Sequence, residues 1–339
     1  MRTPSNWPPP RRSPQKAISR RAIAQGNPAR LQQRQQLPDD RGVADYGREL
    51  EFGIFPSPEA TALDHILAMA TIADESGLDL IGIQDHPYQR RFLDTWMVMA
   101  TILARTQRVR VFPDVTNLPL RPPAMIAKAA ASLDVISGGR FELGLGAGAF
   151  WEAVEAMGGQ RRSPGEAVSA IEEAIAVIRL MWSDERSVRY TGKHYRLAGV
   201  KPGPQPAHPI GIWLGAGGTR MLGLLGREAD GWVPSSSWAT PDKLPGMNRR
   251  IDDAAEAAGR DPADIRRLYN IFGAIDGSRE FLNGPVEQWV AELTPLVVEQ
   301  GMDTFIFGPA EDPVRQVRRF AEEVVPAVRE SVQQHRSTH

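Results

Sequence analysis

The sequence predicts an α/β chain folded as a (β/α)8 barrel, and three observations carry that expectation. From Glu49 onward, short apolar runs alternate with longer amphipathic stretches, the rhythm of parallel strands joined by crossover helices. Eight such strand–helix units follow in series, the count that closes a parallel barrel. The chain has 339 residues, 42% apolar and 24% charged, which suits one barrel-sized core plus a tail better than two compact domains.

Strands are predicted at 50–55, 80–83, 109–115, 141–145, 210–214, 231–233, 268–273 and 304–307. Helices fall between them at 60–75, 95–105, 124–136, 166–182, 220–228, 241–258, 286–299 and 313–328. The third unit is the most legible. Val109, Val111 and Val115 supply β-branched character, while Pro113 and Pro119 keep the strand from running as a regular ladder. Pro122 and Pro123 suit a helix first turn, and Ser137-Gly138-Gly139 closes that helix, Gly accepting a left-handed backbone. The fourth strand is short and apolar, and Gly144, Gly146 and Gly148 leave its exit open to close approach by a ligand. In the next helix Val168, Ile171, Ile175, Ile178 and Trp182 form one buried stripe. The rhythm breaks between Trp182 and Ile210, where a hairpin around Tyr190-Thr191-Gly192-Lys193 reads as an insertion after the fourth βα unit. The barrel domain is placed at 46–330, followed by a flexible tail at 331–339. The rival fold is a doubly wound dinucleotide-binding sheet, because Gly144-Leu145-Gly146-Ala147-Gly148-Ala149 satisfies a relaxed G-x-G-x-x-G/A pattern. Against it, Gly158-Gly159 and Pro164 interrupt the expected helix, and the motif sits at the fourth strand rather than the first.

Composition excludes several function classes. No Cys is present, which removes disulfides, thiolate metal sites and thiol nucleophiles and agrees with a cytoplasmic location. The six His residues show no metal-ligand spacing, and His65, His194 and His208 are assigned no chemistry. No apolar run approaches ~18 residues, so no spanning helix is expected. The formal net charge of −1 hides an asymmetry. Residues 1–38 carry eight Lys/Arg and no acid, leaving 32 basic against 41 acidic residues in the remainder. The body is therefore not a nucleic-acid binder on charge grounds. The Pro-, Gln- and Arg-rich arm at 1–45 is expected to be disordered. A mis-assigned start, with Val43 as an alternative initiator, a solvated tail, and a transit or polyanion-binding arm all stand as readings of it.

Val115-Thr116-Asn117, Arg121 and Pro123, then Leu133-Asp134, Ser137, Gly139-Arg140 and Leu143-Gly144 through Gly148, resemble the luciferase-like flavin and deazaflavin oxidoreductases. The likeness extends over roughly residues 50–325 and is closest to the members that use coenzyme F420. Leu118 and Pro122 depart from the family pattern, which often has Pro and His there. The resemblance implies a reduced flavin-type cofactor held at the C-terminal rim of the barrel, where strand ends gather functional groups. Asp85-His86 follows the second strand directly and lands on that rim. There an imidazole can donate or accept a proton beside the cofactor, and a neighbouring carboxylate could hold it cationic. The loop Asp114-Val115-Thr116-Asn117 matches the place where the family bends its third strand to support the ring, through a non-prolyl cis peptide expected at Asp114–Val115. Family members usually have Gly or Ser where Asp114 stands.

Gly146, Ala147 and Gly148 complete the expected ring contacts. The turn Gly215-Ala216-Gly217-Gly218-Thr219-Arg220 reads either as a plain helix cap or as an anion site for the cofactor's phosphate. Phe150, Trp151 and Trp238 are candidate pocket walls, with simple packing as the alternative. Relatives that oxidise glucose 6-phosphate place a Glu where this chain has Ala149, so that substrate is not expected. F420-dependent hydride transfer with a small organic substrate is the favoured activity. Alternatives are an FMN-dependent two-component monooxygenase and a non-catalytic flavin-binding barrel; a separate flavin or F420 reductase, matching the cofactor used, stands as a partner. A homodimer is expected from the family, with no nucleic acid, membrane or metal involved.

Overall fold

The computed structural model describes residues 45–338. The expected basic arm, with the alternative start at Val43, lies outside the described residues but for Asp45. The strands are β1 (Glu51–Ile54), β2 (Leu80–Ile83), β3 (Arg110–Pro113), β4 (Thr116–Asn117), β5 (Leu143–Gly146), β6 (Val188–Thr191), β7 (Arg196–Val200), β8 (Ile212–Gly215), β9 (Gly231–Trp232), β10 (Arg266–Gly273) and β11 (Thr304–Pro309). Nine of them form one parallel sheet in the order β3-β2-β1-β11-β10-β9-β8-β5-β4. A further parallel bridge, Val111–Phe141, joins the two ends of that sheet. Because β3 and β4 are halves of one strand, the nine segments make the eight staves of a barrel, and the doubly wound alternative is overturned. The strand expected at 109–115 is thus divided, and its break falls at Asp114–Val115, whose peptide bond is cis.

Between strands run α1 (Leu63–Glu75), α2 (Thr95–Arg105), α3 (Pro123–Ser137), α4 (Trp151–Ala156), α5 (Pro164–Met181), α6 (Thr219–Glu228), α7 (Leu244–Ala257), α8 (Val286–Val298), α9 (Pro313–Arg319) and α10 (Val325–Thr338). Their ends have local causes. The Asp94 carboxylate accepts from the Trp96 and Met97 amides to start α2, and Gly138, at φ 71°, ends α3 by donating to the Asp134 and Val135 carbonyls. Ser163 and Glu166 form a reciprocal capping box with Pro164 at the first position of α5. Pro164 therefore opens a helix rather than interrupting one. The six-residue α4 was not anticipated after the Gly-rich exit. The tail expected to be flexible from 331 is instead the end of α10. Val332 is buried and Arg336 makes two hydrogen bonds of 2.6 and 2.9 Å to Asp45, so packing and a charge pair hold this turn. The segment β6–β7 pairs antiparallel outside the barrel sheet.

Strand alternation divides the core in two. Outward side chains such as Ile81, Leu143 and Leu145 pack under the helices. Leu80, Phe112, Trp213, Val233, Leu268 and Ile306 fill the lumen, with Phe55 and Val115 against them. The lower, N-terminal end is closed by charge: Arg110 bridges Glu51 and Glu142, and Arg266 bridges Glu51 and Asp303. Among the described residues, the C-terminal end has no such plug. Its residues at the next inward level include Gly82, Asp114, Gly146, Gly215 and Asn270, so glycines leave that mouth open.

Candidate functional site

The mouth is shaped first by the broken third strand. A Cβ on Gly144 would lie 2.0 Å from the Pro113 carbonyl oxygen and 3.0 Å from Val115 Cγ1, so only glycine lets β5 approach the bend. The Val115 side chain then lies along β5 and β8, 2.6 Å from the Cβ position of Gly146 and 3.0 Å from that of Gly215. Gly144→Ala is expected to cost roughly 3 kcal/mol or more of stability, because the clash is with backbone. Gly218→Ala, in open space at φ −80°, should change stability by less than about 0.5 kcal/mol. Denaturant unfolding of both variants checks the contrast.

Asp85 and His86 leave β2 at the rim, and the structure separates their roles. Asp85 is buried, takes a bidentate pair from Arg121 at 2.8 and 2.9 Å, and accepts the Asn117 amide at 3.0 Å. Arg121 also reaches Asp94 at 2.6 Å. This network ties the β2 exit, the start of α2 and the β4 loop together. It engages the Asp85 carboxylate fully, so Asp85 supports the loop rather than presenting itself to a ligand.

The His86 imidazole makes no hydrogen bond to the described residues. It stacks on Tyr88 at 5.4 Å and meets the edge of Phe150 at 5.7 Å. Burial pushes its pKa below the usual range and outweighs the nearby Asp85 charge. The expectation of a cationic imidazole is therefore reversed: Asp85 is neutralised by Arg121, and desolvation favours the neutral ring.

Asp114, on the lumen side of the bend, accepts a hydrogen bond from Asn270 Nδ2 at 3.0 Å through one oxygen. Its other oxygen is buried beside Gly82 without a partner. Burial, opposed by the Asn270 bond, pushes its pKa up to about 7. Thr116 Oγ1, Asn117 Oδ1 and Asn270 Oδ1 are likewise buried and unpartnered. Asp114 Oδ2, Asn117 Oδ1 and Asn270 Oδ1 lie on the inward face and fit a planar ring carrying polar edges, whereas Thr116, in register with outward Leu145, faces the helices. Asn270 was missed in the sequence. Its signal was a polar residue two places after Leu268 in an apolar strand, hence facing inward with it.

The Gly146–Gly148 run behaves as a backbone wall: Gly148, at φ 100°, has Pro119 and the Trp151 ring against its Cβ position. Trp151 is thereby packing against Gly148, and Ala147 is partly buried on the core. Phe150, at φ 54° and 62% exposed, is the aromatic that reaches His86. On the other side of the mouth, Gly217 lies under the Trp238 ring, which is 42% exposed. Gly218 caps α6 with no side-chain bond, and Thr219 begins that helix, exposed. Gly215, Gly217, Gly218 and Thr219 thus stand at the end of β8, beside the free N-terminus of α6. Of the unassigned histidines, His194 bonds Ser169 at 2.8 Å, and His208 bonds Asp134 at 2.8 Å, both away from the mouth. Among the described residues no acid–histidine cluster is suited to a metal, and no helix is long and apolar enough to cross a membrane.

Comparison with known proteins bears on this mouth. The luciferase-like monooxygenase family model matches residues 50–329. An F420-dependent glucose-6-phosphate dehydrogenase of Kineococcus radiotolerans is 26% identical, covering 85% of this chain and 99% of that protein. An F420-dependent hydroxymycolic acid dehydrogenase of Mycobacterium tuberculosis is 27% identical over 86% of this chain and 89% of its own. Among solved structures, an F420-dependent secondary alcohol dehydrogenase with an F420–acetone adduct superposes with a TM-score of 0.75 at 20% identity, covering 83% of this chain and 99% of that one. The oxygenating constituent of 3,6-diketocamphane monooxygenase from Pseudomonas putida, in complex with FMN, gives 0.68 at 18% identity over 82% of this chain and 99% of that one. At these identities the two solved structures speak for the barrel alone.

Proposed function

Because the chain belongs to the luciferase-like monooxygenase family, we propose that it is an oxidoreductase that uses coenzyme F420 to move a hydride to or from a small organic substrate. The observation that carries the reading is His86: an imidazole that burial biases toward its neutral form, without a hydrogen-bond partner among the described residues, stacked on Tyr88 and edged by Phe150 at a glycine-walled barrel mouth. The names of the two relatives above support F420 over FMN.

When bound, the cofactor supplies the hydride acceptor or donor. The backbone of Asp114 and Val115 would hold its ring, with Gly146, Ala147 and Gly148 lining the same recess. Asn117, in register with inward Gly146, would turn its unpaired Oδ1 toward the ring edge. Gly215, Gly217, Gly218 and Thr219 receive the phosphate at the α6 N-terminus, with Arg220 adding the cation that a helix end by itself does not supply. An imidazole nitrogen of His86 accepts the hydroxyl proton of an alcohol substrate during oxidation and returns it during carbonyl reduction. Asp85 acts through Arg121 and the Asn117 amide, holding the loop on which the ring rests. Tyr88 and Phe150 shield the imidazole from water, and the half-exposed Trp238 walls the substrate's approach. Ala149 offers no carboxylate, so glucose 6-phosphate is not the proposed substrate. The protein is proposed to work in the cytoplasm as a homodimer.

Fluorescence titration with F420 and FMN, each oxidised and reduced, tests the reading. Preference for F420 with nanomolar-to-micromolar affinity is expected. Preference for FMN, with oxygen uptake driven by its reduced form and a separate reductase, would replace it by the monooxygenase alternative. Tight binding without turnover on alcohols and ketones would favour a non-catalytic barrel, and binding of neither ring would overturn the proposal.

A further inference from the structure

A second recess lies behind the mouth rather than in it. It has a volume of about 370 Å³, at the small end of the range for organic ligands. Leu118, Pro119, Leu120 and Met157 give it apolar walls, and Arg162 and Tyr195 stand at its polar side. The partition from the cofactor mouth is thin: Pro119 lies against Gly148, and Leu118 follows Asn117 directly.

Arg162 is the unusual member. Its Nη2 donates to the Tyr195 hydroxyl at 3.1 Å, and its guanidinium lies 5.6 Å over that ring. Nε and Nη1 are buried with no hydrogen-bond partner among the described residues. Among the described residues no carboxylate forms an ion pair with it. The adjacent Arg161 takes both nearby acids, Glu152 and Glu155, at 2.9 and 2.8 Å. Glu173, the acid next to Tyr195 on the hairpin side, is engaged by the amides of Lys193, His194 and Tyr195. A largely buried cation without a counter-charge is costly and is ordinarily paired. Arg162 lines a recess large enough to hold a counter-anion.

We propose that this recess is a binding site for a carboxylate with an apolar body, its anion paired with Arg162 and its chain against Leu118, Leu120 and Met157. A single cation in an apolar pocket matches one negative charge better than a phosphate dianion. Two sources share this chemistry: a free amphipathic carboxylate acting as substrate or effector, and a glutamyl carboxylate on the tail of a deazaflavin cofactor. Only the second source rests on the redox reading above, so the site stands or falls separately from it.

Isothermal titration of the full chain with octanoate, octylammonium and the γ-glutamyl-glutamate dipeptide tests the site. Octanoate or the dipeptide should bind, octylammonium should not, and Arg162→Met should weaken binding at least tenfold. Arg162→Lys, which keeps the charge, should recover part of the loss, and Tyr195→Phe should weaken binding by about two- to fivefold. Binding by octanoate assigns a free carboxylate as the source; binding by the dipeptide alone assigns the cofactor tail. Thermal midpoints of each variant separate a lost site from a lost fold, and Arg162→Lys with Tyr195→Phe carry the test if Arg162→Met does not fold. No binding of either carboxylate at millimolar concentration, equal binding by Arg162→Met, or equal binding of octylammonium would overturn the proposal.

Discussion

Replacing His86 by Asn should lower turnover by ~10²–10⁴ while changing cofactor affinity no more than a few-fold. Burial already favours the neutral ring, so the wild-type imidazole is ready to accept a proton near neutral pH. The same shift sets the sign of the pH dependence. A base with a depressed pKa stays competent as pH falls through 6.5, the ordinary His value, and loses activity only below it. The rate of alcohol oxidation should therefore show an acid limb below that value in the wild type and none in the variant. Single-turnover kinetics from pH 5 to 9 would measure both features. A loss under tenfold, or an unchanged acid limb in His86→Asn, would remove His86 from the chemistry.

Asp114→Asn should stabilise the protein at alkaline pH, an unusual result for a residue at a binding mouth. The folded carboxyl titrates at about 7 against 3.8 for the free side chain, so the native state binds its proton more tightly than the unfolded chain. Stability from this group is present below the unfolded value and is lost as pH rises through the folded one. At pH 8 the ionised form costs roughly 4 kcal/mol, an upper bound because the site relaxes. Asn carries no charge to bury and can both accept from and donate to Asn270, whose Oδ1 now lacks a donor. The gain should be roughly 5 °C in Tm at pH 8 and should narrow toward zero near pH 4. Calorimetry across that range would decide, and a pH-independent difference would show that Asp114 does not titrate in the native state.

Much of the barrel was legible because its signals are local. Thr95–Arg105 and Leu80–Ile83 are observed where expected, since an Asp N-cap or an apolar run bounded by polar residues is written in a few adjacent positions. Errors cluster where the decisive partner is remote. The end of α10 needed Asp45, almost the whole chain away, to hold Arg336. The bend of the third strand is the exception: the family resemblance put its cis peptide at Asp114–Val115, where it is observed, although the room for it comes from Gly144 of the neighbouring strand.

The site divides along the same line. Residue type and position after a strand were enough to bring Asp85, His86, Asp114 and the glycine turns to one rim, because strand direction and parallel order dictate where each exit falls. The protonation states were not contained there. That Asp85 is matched by Arg121 while Asp114 is left almost alone depends on which side chains face each other across the lumen. Sequence by itself determined the order of strands, the glycine openings and the identity of the polar groups. Tertiary packing decided which charges are paired and which are desolvated, since both depend on distances between residues that the chain order leaves unspecified.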